Sequence, residues 1–224
     1  MTSFELMKDA KETRQTFGKY AIWPYLVFLF LTAAVNAIAV AVLPMADIAR
    51  GVETALTPAQ NIFKFFYTLF NAVFVPLLLF GVHRVYLVFA RMQRPAFSVL
   101  FDGFFNFIRV WLLFFLKTMM IGIGLMIFIV PGIFFFYSTA MANFIFSDDE
   151  DMLPWTAISK SFRLMHGNRF RLFKLQLSFI GWFLLVIATL GLALIYVGPY
   201  YMTALAKFYD EIKRKEENRL KIKD

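Results

Sequence analysis

The chain has 224 residues, of which 60% are hydrophobic and only 17% charged, with 30 Phe and no Cys. Soluble domains are about 45–50% apolar, and a globule of this length cannot hide so much more beneath so few charges. Disordered, disulfide-stapled and water-soluble enzyme classes are excluded, leaving an all-α, polytopic transmembrane helical bundle that forms one domain over 1–224.

Residues 1–19 carry seven charges and no apolar core, and read as a cytoplasmic segment. No charge falls between Lys19 and Asp47. Residues 20–43 therefore predict a first crossing, about 36 Å long at the helical rise and too long for a cleavable leader. Ala33, Ala37 and Ala41 form a small-residue stripe on it, read as a close helix contact within the protein or in a dimer. A short amphipathic helix is expected around 46–56. The second crossing covers 65–89, with a kink at Pro76. Residues 95–108, interrupted by Asp102 and Asn106, predict an interfacial helix.

A third crossing is expected over 109–130, a turn at Pro131-Gly132, and a short return over 133–146, crossing or re-entrant. The acids Asp148, Asp149, Glu150 and Asp151 mark the exit and read as a solvated loop. Residues 153–170 predict a second interfacial helix with Trp155, Ile158, Phe162 and Met165 on its apolar side. Residues 175–206 hold no charge and predict two crossings divided at Gly191, the second over 192–209 and again crossing or re-entrant. Residues 207–224 form a charged cytoplasmic tail. The total is about six membrane segments with interfacial amphipathic helices. A four-crossing alternative treats 110–147 and 175–206 as single spans. A faint echo between 76–89 and 131–144 fits a repeated interfacial-helix-plus-hairpin unit, with chance as the competing account.

The net charge of +8 is sorted by side. Of 23 Lys and Arg, 20 fall in 1–19, 84–109, 147–174 and 207–224, and two in the connection 44–64. The positive-inside rule then places both termini in the cytoplasm. The same rule removes any need to invoke nucleic acid as a partner.

Lys117 is the remaining basic residue and the sharpest candidate for a ligand or headgroup site. An ammonium within an apolar span must face the bundle, a wet cavity or an acid, or snorkel to the interface. Asn36, Asn71, Asn143 and Gln176 are amides in or near apolar spans, read as pathway-lining groups or as interhelical hydrogen-bonding ones. Arg169 and Arg171 are placed to meet the phosphate layer. No catalytic motif, metal-ligand spacing or cofactor fingerprint is present, so the expectation is no catalytic site, no metal and no cofactor.

Ser161, Met165, Gly167, Asn168, the string Phe170-Arg171-Leu172-Phe173, residues 177–182 ending in Trp182, Pro199-Tyr200 and Phe208-Tyr209 form a recognisable pattern. It resembles the C-terminal pattern of the DUF975 family of bacterial integral membrane proteins, with Arg169 displacing the aromatic that follows Asn168. The resemblance marks Ser161, Gly167, Asn168, Ser178, Gly181, Trp182, Pro199 and Tyr209 as family-motif positions and implies a bacterial cytoplasmic membrane. The family is also distantly similar to membrane domains attached to some glycerophosphodiester phosphodiesterases. It brings no activity with it. The expected role is a non-catalytic membrane protein that scaffolds a partner or modulates the bilayer. The alternative is a transporter, exporter or immunity-type protein handling a lipid or amphipathic peptide. Membrane lipids are the expected partners, with a protein partner or homo-oligomer left open.

Overall fold

The computed structural model describes residues 2–43 and 56–221, the side chain of Lys19 excepted. The helix expected around 46–56 lies outside them. Every regular element among the described residues is helical. Helix α1 (Ser3–Phe17) starts at a capping box between Thr2 and Glu5 and buries Leu6, Ala10, Thr13 and Phe17 along one stripe. Gly18, at a φ of 52°, turns the chain into α2 (Lys19–Val42).

Helix α3 (Pro58–Leu69) opens with a second capping box, Thr57 with Gln60, and Pro58 in its first turn. It runs through a π-turn, Phe70–Phe74, into α4 (Val75–Ala90). This wide turn immediately precedes Pro76, the position at which a kink is expected. Pro58–Ala90 continues through both as one 33-residue helix.

The interfacial helix expected over 95–108 is not one helix. A 3₁₀ segment, Phe97–Phe101, is followed by the single turn α5 (Asp102–Phe105). Both lie back along α4. A side chain at Gly81 would strike the carbonyl of Leu100, and one at Gly103 the carbonyl of Leu77, so the two backbones touch where glycine permits it.

Helix α6 (Phe107–Ile127) and α7 (Ile129–Thr139) form an antiparallel hairpin whose only linking residue is Phe128, in extended conformation. The turn therefore precedes the expected Pro131-Gly132. Both residues sit in the first turns of α7, where a missing N–H costs little. Helix α8 (Ala142–Asp148) completes this return. α9 (Pro154–Met165) follows and buries Ala157, Ile158, Ser161, Leu164 and Met165 against the bundle, leaving Trp155 outside. Of the four residues expected on its apolar side, Ile158 and Met165 are buried and Trp155 is exposed. The last elements are α10 (Arg169–Ser178), α11 (Ile180–Ala188) and α12 (Leu194–Lys221).

Among the described residues, four helices are long and apolar enough to cross a membrane: Tyr20–Val42, Pro58–Ala90, Phe107–Ile127 and Ile129–Asp148. The pair α10 and α11, bent by 41°, would make a fifth. The count is thus four or five, against the about six segments expected. The apolar part of α12 ends at Lys207, and 13 residues reach only about 20 Å against roughly 30 Å of hydrocarbon. The single span proposed over 110–147 is also excluded, because the chain reverses at Phe128.

The core gathers where α1, α4, α8, α9, α10 and α12 meet, around Phe80, Tyr86, Phe144, Phe146, Phe179, Phe208 and Tyr209. α3 and α11 bury no residue at all. Ala33, Ala37 and Ala41 are exposed on α2, so their stripe is not buried against another of the described helices. The terminal helices are packed together: the Tyr200 hydroxyl donates to the Met7 carbonyl at 3.0 Å, and Lys207 meets Asp9 at 3.5 Å.

Candidate functional site

The polar groups of the bundle converge at the end that carries α1 and the charged half of α12. Asp148, the last residue of the fourth span, is 13% exposed and is shared by three partners. Arg91 Nη1 reaches its Oδ1 at 2.7 Å, while the Tyr209 hydroxyl and Lys213 Nζ each donate to Oδ2 at 2.7 Å. Arg91 also pairs with Asp210 at 2.9 Å. Burial alone would lower the pKa of the Arg91 guanidinium, but Asp148 and Asp210 more than offset it and hold it above the usual range. One carboxylate thus fastens α4, α8 and α12 to one another.

A second node lies beside it. Arg84 pairs with Asp102 at 3.0 Å and with Glu150, and Glu150 also accepts from the Asn106 amide. Arg109 donates to the Glu150 carbonyl at 3.0 Å and lies 3.7 Å from Asp151. The acidic exit read as a solvated loop is largely neutralised by arginines from α4 and α6. Its charges hold the chain ends of the spans together.

Arg171 does not stand free in a phosphate layer. Its guanidinium donates to both oxygens of Glu211, at 2.9 and 3.0 Å, and to Asn168 Oδ1 at 3.0 Å. Arg169 lies over the ring of Phe134, 4.2 Å from its centroid. Gly167, at a φ of 79°, ends α9, and Asn168 Nδ2 donates to the Leu164 carbonyl. Only Gly167 takes the left-handed backbone that both residues tolerate.

Lys117 is the central residue of Phe107–Ile127 and turns inward. Its Nζ donates to Asn143 Oδ1 at 2.9 Å, and Asn143 itself is buried. The two candidates, on α6 and α8, therefore meet. No carboxylate among the described residues pairs with this ammonium. Gln176 accepts from the Tyr137 hydroxyl at 2.6 Å and donates to that of Tyr201 at 3.0 Å, joining α7, α10 and α12. Asn36 on α2 accepts from the Tyr67 hydroxyl of α3 at 2.8 Å, and Asn71 donates to the Tyr67 carbonyl.

Among the motif positions, Ser161 is fully buried and donates to the Ser138 carbonyl at 2.7 Å. Ser178 donates to the Lys174 carbonyl, Gly181 faces open space, and Trp182 stacks on Tyr196. Pro199 is buried within α12, and Tyr209 stacks on Phe144 while reaching Asp148. Arg84, Arg91 and Glu211 are not marked as site residues by the sequence, and Asp148 and Glu150 are marked only as a solvated loop. Their signal was the acid run followed by basic helices, which gives signs of charge but no partners. Among the described residues no three His, Asp or Glu side chains converge as a metal would require.

These features define a multi-pass helical membrane protein with its ion pairs concentrated at one end. The model of the DUF975 family, a protein of unknown function, matches residues 125–216, from the last turn of α6 into the tail of α12. The match contains every motif position named above and adds the α7 hairpin and the acidic exit. No curated protein and no solved structure matches the chain, and nothing found supports the distant likeness to glycerophosphodiester phosphodiesterase membrane domains.

Proposed function

We propose that the protein is a non-catalytic membrane scaffold that holds a partner at the cytoplasmic face of a bacterial membrane, with both termini on that face. The observation carrying this reading is the Asp148 node. It fixes the charged half of α12 to the ends of two spans, so that a helix extending to Lys221 is presented beyond the apolar bundle. Polar clefts of about 530 and 510 Å³ flank that helix. The first is lined by Asp9, Arg91, Lys207 and Arg214, the second by Arg163, His166, Lys215 and Arg219. The basic excess of this face suits an acidic protein segment. The test is a photo-crosslinking residue at Asn218, in the lining of the second cleft. The expected result is one discrete protein adduct in cells that disappears in Arg163→Glu and Arg219→Glu. Adducts with lipid alone, or adducts indifferent to both reversals, would overturn the scaffold.

A second reading, the handling of a lipid or amphipathic peptide, is favoured by Lys117. A mid-span ammonium satisfied by one neutral amide retains affinity for an anion. On this reading Lys117→Met inserts and melts normally yet loses transport or resistance to such a molecule. Retention of that phenotype removes Lys117 from the mechanism.

A further inference from the structure

Between the start of α2, the end of α4 and the 3₁₀ segment lies a slot of about 330 Å³, within the range of small-molecule sites. Its floor is Val85, Phe89 and Leu100, all buried, and its rim is Tyr20, Trp23 and Phe97, all more than half exposed. Tyr20 opens the first span and Ala90 closes the second, so the slot sits at the membrane boundary. Aromatic rims of this kind favour that depth.

Arg94 stands at the mouth. Its guanidinium lies 5.6 Å from the centroid of the Tyr20 ring, and no carboxylate among the described residues pairs with it. Arg84, Arg91, Arg109, Arg163 and Arg171 are each held by an acid, whereas Arg94 is left with only the Tyr20 ring beside it. An exposed cation over an apolar slot at the boundary matches one class of occupant. We infer that this slot binds a single anionic phospholipid of the adjacent leaflet, its phosphate on Arg94 and the upper part of an acyl chain against Val85, Phe89 and Leu100. The slot is separate from the clefts along α12, so the scaffold reading can fail without affecting it.

The shape of the slot explains the commitment to lipid. A free phosphate would meet Arg94 alone and leave the apolar floor unused. A lipid satisfies both, and burial of each methylene adds to the charge term.

The whole protein in detergent is titrated with phosphatidylglycerol or phosphatidylcholine and followed by native mass spectrometry. The expected result is one tightly held phosphatidylglycerol, preferred about fivefold or more over phosphatidylcholine, as one surface cation supplies roughly 1 kcal/mol. Arg94→Gln abolishes the preference. Ala96→Trp, placed at an exposed lining position, fills the slot with the cation intact and abolishes tight binding of either lipid. Thermal melts matching wild type confirm that both variants fold. Equal retention of the two lipids by wild type, or a preference that survives either substitution, overturns the site and leaves ordinary boundary lipid.

Discussion

The indole N–H of Trp111 donates to the carbonyl of Ala72 at 3.0 Å. Ala72 lies four residues before Pro76, whose ring nitrogen has no hydrogen to offer it. A carbonyl near the middle of Pro58–Ala90 finds no water in hydrocarbon. Trp111→Phe is therefore expected to lower stability by about 1–3 kcal/mol, seen as a lower melting temperature in detergent. Adding Pro76→Ala restores the backbone donor and recovers most of that loss. An equal effect of Trp111→Phe in both backgrounds would disprove the coupling.

Glu211 supplies a pH dependence. Burial raises its pKa, but hydrogen bonds from Lys215 and Arg171 outweigh burial and hold it at about 2, below the ordinary 4.5. The contribution is complete above the unfolded value near 4.5. It is lost as the pH falls toward 2, because the unfolded chain takes up the proton first. Melting temperature is expected to fall through this window in wild type. Glu211→Gln starts lower at neutral pH and falls less. Parallel curves for the two proteins would contradict the assignment.

Asp148→Asn leaves Arg91 and Lys213 without one shared anion. The expected consequence is local. Amide exchange over 207–221 rises about tenfold or more, while the hydrophobic middle of α6 keeps its protection. A uniform rise across the protein would show that Asp148 governs global stability and not the tail.

Gly81 and Gly122 make a matched pair. A methyl at Gly81 meets the Leu100 carbonyl, with backbone on both sides of the contact, whereas nothing lies within 4 Å of one at Gly122. Gly81→Ala is expected to cost about 1–3 kcal/mol or more, and Gly122→Ala to be neutral or stabilising. Equal melting temperatures for the two variants would show that α4 and the 3₁₀ segment separate freely.

The spans 20–42 and 107–127 are legible because an unbroken apolar run needs no knowledge of its neighbours. The reversal at Phe128 is hidden, since Pro131 is a strong turn signal yet equally at home in the first turns of a helix. The sixth crossing fails on length: Leu194 opens α12 too close to Lys207. Lys117 and Asn143 each stand out as polar residues in apolar surroundings. Their meeting across 26 positions depends on α6 and α8 both packing against α4 and α9, and is written in neither residue alone. The same holds for Asp148, whose partners come from residues 91, 209 and 213. Sequence fixes which charges exist, and the fold decides which of them neutralise one another.

The connection through Phe128 bears on how the chain enters a bilayer. From Met126 to Val130 the tip of the hairpin is exposed and wholly apolar. No hydrated loop has to be dragged through hydrocarbon to bring α6 and α7 into place. In the proposed orientation the pair can slide in together from the side of synthesis, with Arg109 and the Asp148–Asp151 run left behind at the surface as stops. Biogenesis of this hairpin is thus a partition between water and oil, and it imposes no demand for translocation of polar chain.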